Sequence, residues 1–568
     1  MRRLLALALV IAATGCSLPL SHDTTTVGTV TAERRQRDDI QVLPPGPKSG
    51  QTPEDIVQGF LGAQANAANK HAIARQFLTS DGASAWRDDV GVKVYDPEKL
   101  GVEQLPGATA NQVTVQVTSS DSAEVLPDGA FTALAGAPVH EEYTLRRVQG
   151  DWRLTRVPAG LRLTSADLAR AYEPSTLYYL APPVKGAAPH LVPDLVFLPA
   201  AREPVNALVR RLLSPPSSGL AGAAFSAFPR GVSIRSVAMS GAGVVTVDFS
   251  AGIMKLDPVA RQSLSAQLIW TLRGLGPAFT GLRLLVGGTT LTVPTEGQVQ
   301  DAGDWSAYDP EGLGPNPAYY FVAARRLRAS VALPSGPATV DDLRAAGSVP
   351  VDQVAVTPDR TQVGLLAGTG VGQVTVRTGP LLGPTYTRGP TAPGLTSPTW
   401  GSGQYGLWMV QSQTRVVLLP RGATALRTIE VSQLPAGRLS SLALSRDGAR
   451  AALVVDGRLY IGRVTAAEGT PRIEGVSLVL PSLSRVQAVA WASGTELAVL
   501  GSVTSGPQVL RLAVDGSSIT ALNSAGLTPG SIAASSAGLI VTSGGVLYAA
   551  SGRGFTRILV GSAPVFPG

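Results

Sequence analysis

The sequence predicts a multidomain chain: two α+β units in succession, then an all-β propeller of five or six blades. Three observations predict it. At 568 residues with 44% hydrophobic side chains, the chain has material for three or four cores. Its 63 glycines and 43 prolines suit a strand- and turn-rich protein better than a helical bundle. Finally, a short apolar strand followed by a polar turn recurs through the C-terminal half. With Val356, Trp400, Leu444, Trp491 and Ala534 as equivalents, the separations are 44, 44, 47 and 43 residues.

The N-terminus comes first. Arg2 and Arg3 precede a ten-residue apolar run, Leu4 to Ala13. That run is too short to span a bilayer but suits the core of a signal peptide. It ends in Ala13-Thr14-Gly15-Cys16, and Cys16 is the only cysteine. These four residues resemble the lipobox of bacterial lipoproteins, with Ala13 in place of the usual leucine. The resemblance implies cleavage between Gly15 and Cys16, removal of residues 1–15, and a mature N-palmitoyl, S-diacylglycerol cysteine at position 16. Residues 16–51 are polar, with a charge cluster at 33–39 and Pro44-Pro45-Gly46-Pro47 near the end, and read as a tether.

Residues 52–165 read as the first α+β unit. Thr52 and Asp55 bracket Pro53 as cap, third position and first helical position, and Ile56, Val57, Phe60 and Leu61 recur at helical spacing. A short helix with Ile73 and Phe77 follows, then strands at 92–95 and 113–117. A hairpin from Glu142 to Val157 is expected to turn at Gly150-Asp151 and to set Tyr143 and Leu145 against Trp152 and Leu154. The closing Gly150-Asp151-Trp152-Arg153-Leu154 resembles that of cone-shaped, nuclear-transport-factor-like domains. Some of those are enzymes with an Asp/His pair. Here His71 and His140 have no evident partner, so catalysis is not expected.

Residues 175–297 read as the second α+β unit. Strands fall at 177–180 and 195–198, and a helix carries Val205, Leu208, Val209, Leu212 and Leu213. Two strands turn at Gly241 and Gly243. A helix starts at Asp257-Pro258, and a strand at 281–286 closes the unit. The stretches Leu208–Pro215, Val245–Ser250 and Arg283–Val286 resemble the GerMN module of spore-germination proteins, which implies a non-catalytic interaction domain. Asp248 reads as a strand-end residue capping the next turn rather than a site residue.

Residues 318–568 read as the propeller, with five visible blades and a sixth completed from the two ends. Catalytic equipment is scarce: the chain has four histidines, and this region has no His, Lys or Cys. Gly368-Thr369-Gly370-Val371-Gly372 lacks the Gly-Lys-Ser/Thr ending of a phosphate loop. Gly401-Ser402-Gly403 is a turn, not a nucleophile elbow. His140-Glu141-Glu142 lacks the second histidine of a zinc helix. The pairs Asp88-Asp89, Glu141-Glu142 and Asp341-Asp342 place adjacent carboxylates on opposite sides of a strand. No catalytic residue, metal or cofactor is expected, and the chain reads as a binding protein.

Charge is uneven: from Ala318 onward 20 arginines face 11 acidic residues, a net of +9 within a total of +7. This balance admits the membrane surface, an anionic cell-wall polymer or an acidic partner. No basic run interleaved with aromatics suggests nucleic acid. The domain order, together with the stretch Gly46-Pro47-Lys48-Ser49-Gly50-Gln51-Thr52-Pro53-Glu54-Asp55-Ile56-Val57-Gln58-Gly59-Phe60-Leu61, is similar to the LpqB lipoproteins of actinobacteria. The resemblance implies a lipid-anchored accessory protein on the extracytoplasmic face of the cell membrane. Its implied partner is the ectodomain of an MtrB-like sensor histidine kinase acting on MtrA, with effects on cell-wall homeostasis and division. A passive envelope scaffold or a glycan-binding or glycan-processing protein are the alternatives.

Overall fold

The first helix begins where its sequence signals put it. Thr52 accepts from Asp55 N and Asp55 accepts from Thr52 N, a reciprocal cap that holds α1 (Pro53–Ala63). In the computed structural model, residues 44–568 are described except 184–188, 202, 295–296, 312, 314–316, 331–339, 343–349, 384, 468, 504–505 and 553. Helices α2 (Ala72–Gln76) and α3 (Ser80–Ala85) follow α1. Strands β1 (Val92–Tyr95), β2 (Gly101–Gln104), β3 (Gln112–Val125), β4 (Phe131–Ala133), β5 (Pro138–Val148), β6 (Asp151–Arg156) and β7 (Leu161–Thr164) form one sheet in the order β6-β5-β3-β1-β7. The long β3 changes partners along its length. Its first half lies between β5 and β2, and its second half pairs with β1 and β4. The buried face of α1 packs on this sheet through Ile56, Phe60 and Leu61 against Val113, Val115, Tyr143 and Leu154.

Two local expectations need correction. The β5–β6 turn is centred on Gln149 and Gly150, whose φ values are 54° and 92°, so Asp151 already belongs to β6. That one-residue shift pairs Leu145 with Leu154 as expected but puts Trp152 opposite Arg147, whose guanidinium lies 4.8 Å from the indole centroid. The released Asp151 accepts from Ser49 Oγ and Gly50 N at 2.9 and 3.2 Å. The end of the expected tether is therefore docked on the first sheet.

Helix α4 (Ser165–Ala171) runs directly into β8 (Tyr172–Leu180), which pairs antiparallel with β9 (Leu191–Pro199). Helix α5 (Pro204–Leu212) precedes β10 (Ile234–Met239) and β11 (Val244–Phe249). Helix α6 (Pro258–Leu272) is capped by Asp257, which accepts from Ala260 N, and crosses over to β12 (Gly281–Val286), parallel to β11. Strand β13 (Thr289–Thr290) ends the sheet order β10-β11-β12-β13. The core joins Leu264, Leu268 and Leu272 of α6 to Leu208 and Leu212 of α5 and to Val245 and Val247 of β11. Asp248 Oδ2 accepts from Gly288 N at 3.1 Å, the expected strand-end cap.

Beyond residue 318 come six four-stranded sheets. Five follow chain order, beginning with inner strands Gln353–Val356, Leu395–Thr399, Leu439–Leu444, Ser484–Trp491 and Ser531–Ser535. The sixth is shared by the two ends. Ser562–Val565 pairs antiparallel with Tyr319–Ala323, followed outward by Arg326–Ser330 and Val340–Asp342. The ring is thus a six-bladed propeller closed by its C-terminal strand. The repeated anchor explains the period. Trp400 Nε1 donates to Ala355 O and Trp491 Nε1 to Ala443 O, each reaching the inner strand of the blade before it.

Candidate functional site at the junction of the domains

Cys16, Gly15 and His22 lie outside the described residues. Of the other histidines, His71 caps α2 with φ 55° and packs edge-on against Trp86, and burial lowers its pKa. His140 is exposed on β5, its Nδ1 3.0 Å from Thr118 Oγ1. The two share no partner among the described residues. Of the carboxylate pairs, Glu141-Glu142 is divided by strand alternation on β5, whereas Asp88 and Asp89 precede β1 and, contrary to expectation, lie on no strand. Asp88 is taken by Arg75 and Asp89 by Arg87, while Glu141 points inward and Glu142 outward. For Asp341-Asp342 only the backbone pairing is described. The amide of Gly368 in the glycine-rich turn donates to Asp352 Oδ2 at 2.7 Å, so a carboxylate already occupies the loop. Gly401-Ser402-Gly403 is a turn at the end of an inner strand, with Gly401 and Gly403 at φ 55° and 74°.

Sequence reasoning missed a buried ion cluster in the first domain. Arg162 of β7 donates to Asp121 Oδ1 at 2.9 Å, to Ser119 Oγ at 3.1 Å and to both oxygens of Glu141. Burial opposes the guanidinium charge, but the hydrogen bonds that Arg162 donates to Glu141 and Asp121 outweigh it and raise the Arg162 pKa. The signal was present in the alternation. Asp121 shares the inward phase of Val115 and Val117 on β3, and Glu141 shares that of Tyr143 and Leu145 on β5.

It also missed the polar junction that locks the second domain onto the propeller. Arg450 Nη2 donates to Pro193 O at 2.8 Å and Nη1 to Gly494 O at 3.2 Å. His190 Nε2 lies 2.9 Å from Asp447 O. Asp194 is buried and accepts from Ser217 N and Oγ at 2.7 Å. Glu311, in the segment before the propeller, accepts from Arg446 Nη1 at 3.2 Å and from Gly494 N at 2.9 Å. Arg446 also donates to Pro567 O and Ala534 O at 2.8 and 2.9 Å, tying the C-terminus to an inner strand. Burial raises the pKa of Asp194 and of Glu311, and pushes the neighbouring Asp515 up to about 6. One oxygen of Asp515 has no partner among the described residues.

The first two domains are also joined. Phe131 and Phe197 lie 5.1 Å apart, Arg211 Nη2 donates to Asp128 O at 2.8 Å, and Ser218 N donates to Asp128 Oδ2 at 2.7 Å. Beside the second junction lies a cleft of about 320 Å³ whose walls include Pro182, His190, Phe225, Val259 and Gln404. These arrangements position backbones and faces against one another. Among the described residues, no group of three or more His, Cys, Asp or Glu could hold a metal ion, and no helix is long and apolar enough to cross a membrane.

Comparison with known proteins places this architecture. The family profile for the lipoprotein LpqB N-terminal domain matches residues 46–169, and that for the lipoprotein LpqB beta-propeller domain matches 334–567. The intervening residues 176–292 match the Germane profile, described as sporulation and spore germination. Lipoprotein LpqB of Rhodococcus jostii is 28% identical over 92% of this chain and 88% of that protein. The chain belongs to the LpqB lipoprotein family. Lipoprotein LpqB of Streptomyces avermitilis is likewise 28% identical, over 98% of this chain and 96% of its own. Among solved structures, TolB from Acinetobacter baumannii is 13% identical, covers 55% of this chain and 86% of its own, and has a TM-score of 0.35. In this chain a GerMN-type domain stands between the LpqB N-terminal domain and the LpqB propeller.

Proposed function

We propose that this LpqB-family chain is a non-enzymatic accessory lipoprotein, held on the extracytoplasmic face of the cell membrane by an acylated Cys16. There it binds and modulates the ectodomain of an MtrB-like sensor histidine kinase acting on MtrA. Membership in a lipoprotein family across nearly the whole chain carries the reading. The Ala13-Thr14-Gly15-Cys16 sequence supplies the attachment point. Two acyl chains on one diacylglyceryl group suffice for stable anchoring, at about 0.8 kcal/mol per buried CH₂. Anchoring confines the protein to the plane that holds the kinase and raises its effective concentration there. Modulation then requires only that it favour one kinase conformation over another. The bonds between successive domains support a ligand that presents its surfaces as one body.

Crosslinking in intact cells tests the reading. Expected results are a sensor-kinase ectodomain among the crosslinked products, altered MtrA phosphorylation on deletion, and release of the Cys16→Ser protein from the membrane fraction. Recovery of wall enzymes without a kinase, with phosphorylation unchanged on deletion, supports a passive scaffold instead.

A further inference from the structure

In each blade the first turn lies on the side that meets the second domain, because Asp447 and Gly494 occupy such turns. The turn between the second and third strands, and the loop into the next blade, therefore lie on the opposite, free side. Backbone bonds stitch those loops together. Gln413 O accepts from Leu439 N at 2.8 Å, Arg438 O from Asp456 N at 3.1 Å, and Gly457 O from Val486 N at 2.9 Å. Four arginines, Arg415, Arg438, Arg458 and Arg485, thus follow one another along a continuous seam across the second, third and fourth of the five blades that follow chain order. All four are exposed. Arg415, Arg438 and Arg485 have no side-chain partner among the described residues, and Arg458 spends one N–H on Pro481 O. The seam's acidic residue, Asp456, accepts from the backbone N of Arg438 at 3.0 Å.

We propose that this seam is a docking track for a linear phosphodiester polymer of the cell envelope. This is a second interaction surface, separate from any contact with a kinase. Guanidinium groups present a planar fork that matches phosphate oxygens, and every cation of the seam is Arg. The charges recur along a line, which suits a chain of regularly spaced anions. The four loops contain no aromatic side chain. The seam thus lacks both the anchors typical of a protein interface and the platforms on which bases stack. A flat anionic bilayer would press on the whole ring, yet the corresponding turns Gly370-Val371-Gly372 and Gly544-Gly545 are uncharged; in the shared blade Arg325 is paired with Asp352 at 3.2 Å, and the exposed Arg326 is cut off from the seam by those uncharged turns on either side.

The test uses the full chain in detergent, with purified poly(glycerol phosphate) as the probe and binding measured over a range of salt. The triple variant Arg415→Ser/Arg438→Ser/Arg485→Asn removes the unpaired charges. Asn is chosen at 485 because φ there is 51°. Expected are a loss of about tenfold or more in affinity and a clearly shallower salt dependence. A control triple of equal charge, Arg388→Ser/Arg427→Ser/Arg557→Ser, takes exposed arginines off the outermost strands of three blades, away from the seam, and should bind as the parent does. Undiminished binding by the first triple overturns the proposal. So does equal loss in both triples, or binding to phosphatidylglycerol vesicles without binding to the polymer.

Discussion

At the scale of single residues, two buried charges set the energetics. Arg162 is held between Asp121 and Glu141 with its side chain 6% exposed. Arg162→Met leaves two carboxylates facing an apolar side chain, and should destabilise the first domain by about 3–5 kcal/mol in urea unfolding. The combined Arg162→Met/Asp121→Asn/Glu141→Gln variant should recover much of that loss, because no uncompensated charge remains. Asp515 works the other way. Burial raises its pKa to about 6 from an ordinary 3.8, so between those values the folded protein holds a proton that the unfolded chain has released. Its contribution to stability is therefore full below about pH 4, declines as pH rises to about 6, and is gone above that, a change on the order of 3 kcal/mol. Asp515→Asn keeps an acceptor for Ser517 N and Oγ and puts an amide where the unpartnered oxygen stood. Its urea midpoint should vary less than the parent's between pH 4 and 7. An unchanged difference between the two pH values contradicts this account.

At the scale of elements, local rules carried far. The α1 cap, the Asp257-Pro258 start of α6 and the Gly243 turn are each made by neighbours in sequence, and all were legible. The blade period was legible because the anchors recur near the end of successive inner strands, and two of them, Trp400 and Trp491, bond to the equivalent strand one repeat earlier. What local rules left out depends on partners distant in sequence. The alternation that marks Asp121 and Glu141 as inward cannot say that Arg162 will meet them. Nothing around Arg446 announces that it reaches Glu311, Ala534 and Pro567 at once. The hairpin turn was misplaced because Gly150-Asp151 reads as a two-residue Gly-Asp turn, whereas Gln149 itself accepts the left-handed conformation and the turn falls on Gln149-Gly150. Closure of the ring is the element on which the propeller depends most. Deleting residues 562–568 removes the inner strand of the shared blade, the burial of Phe566 against Tyr319, and the bond from Gly568 N to Val356 O. The bared edge of Tyr319–Ala323 should then pair with other chains. Size-exclusion chromatography should show oligomers, and limited proteolysis should cut the propeller first. A monomer with the parent's digestion pattern contradicts this.

At the scale of the whole molecule, the second domain covers the first-turn side of the propeller, which leaves the opposite side for other partners. The contact that fixes this arrangement turns on Gly494. Its N–H binds Glu311 ahead of the propeller, and its carbonyl receives Arg450, which also holds Pro193 O of β9. An added Cβ at Gly494 would overlap Pro193 Cγ and lie 3.0 Å from Asp447 Oδ2, both parts of the same packed junction. Relief requires β9 to move off the third and fourth blades, because the neighbouring backbone is bonded into its own sheets. Gly494→Ala should therefore leave each domain folded but loosen their mutual placement. Small-angle scattering should show a larger radius of gyration, and proteases should gain access to the segment around residues 297–318. Circular dichroism should match the parent. Gly274→Ala, where an added Cβ meets nothing within 4 Å, is the matched control and should scatter as the parent does. If Gly494→Ala keeps the parent's radius of gyration and protease resistance, the junction yields without separating, and the two domains are held by contacts other than this polar lock.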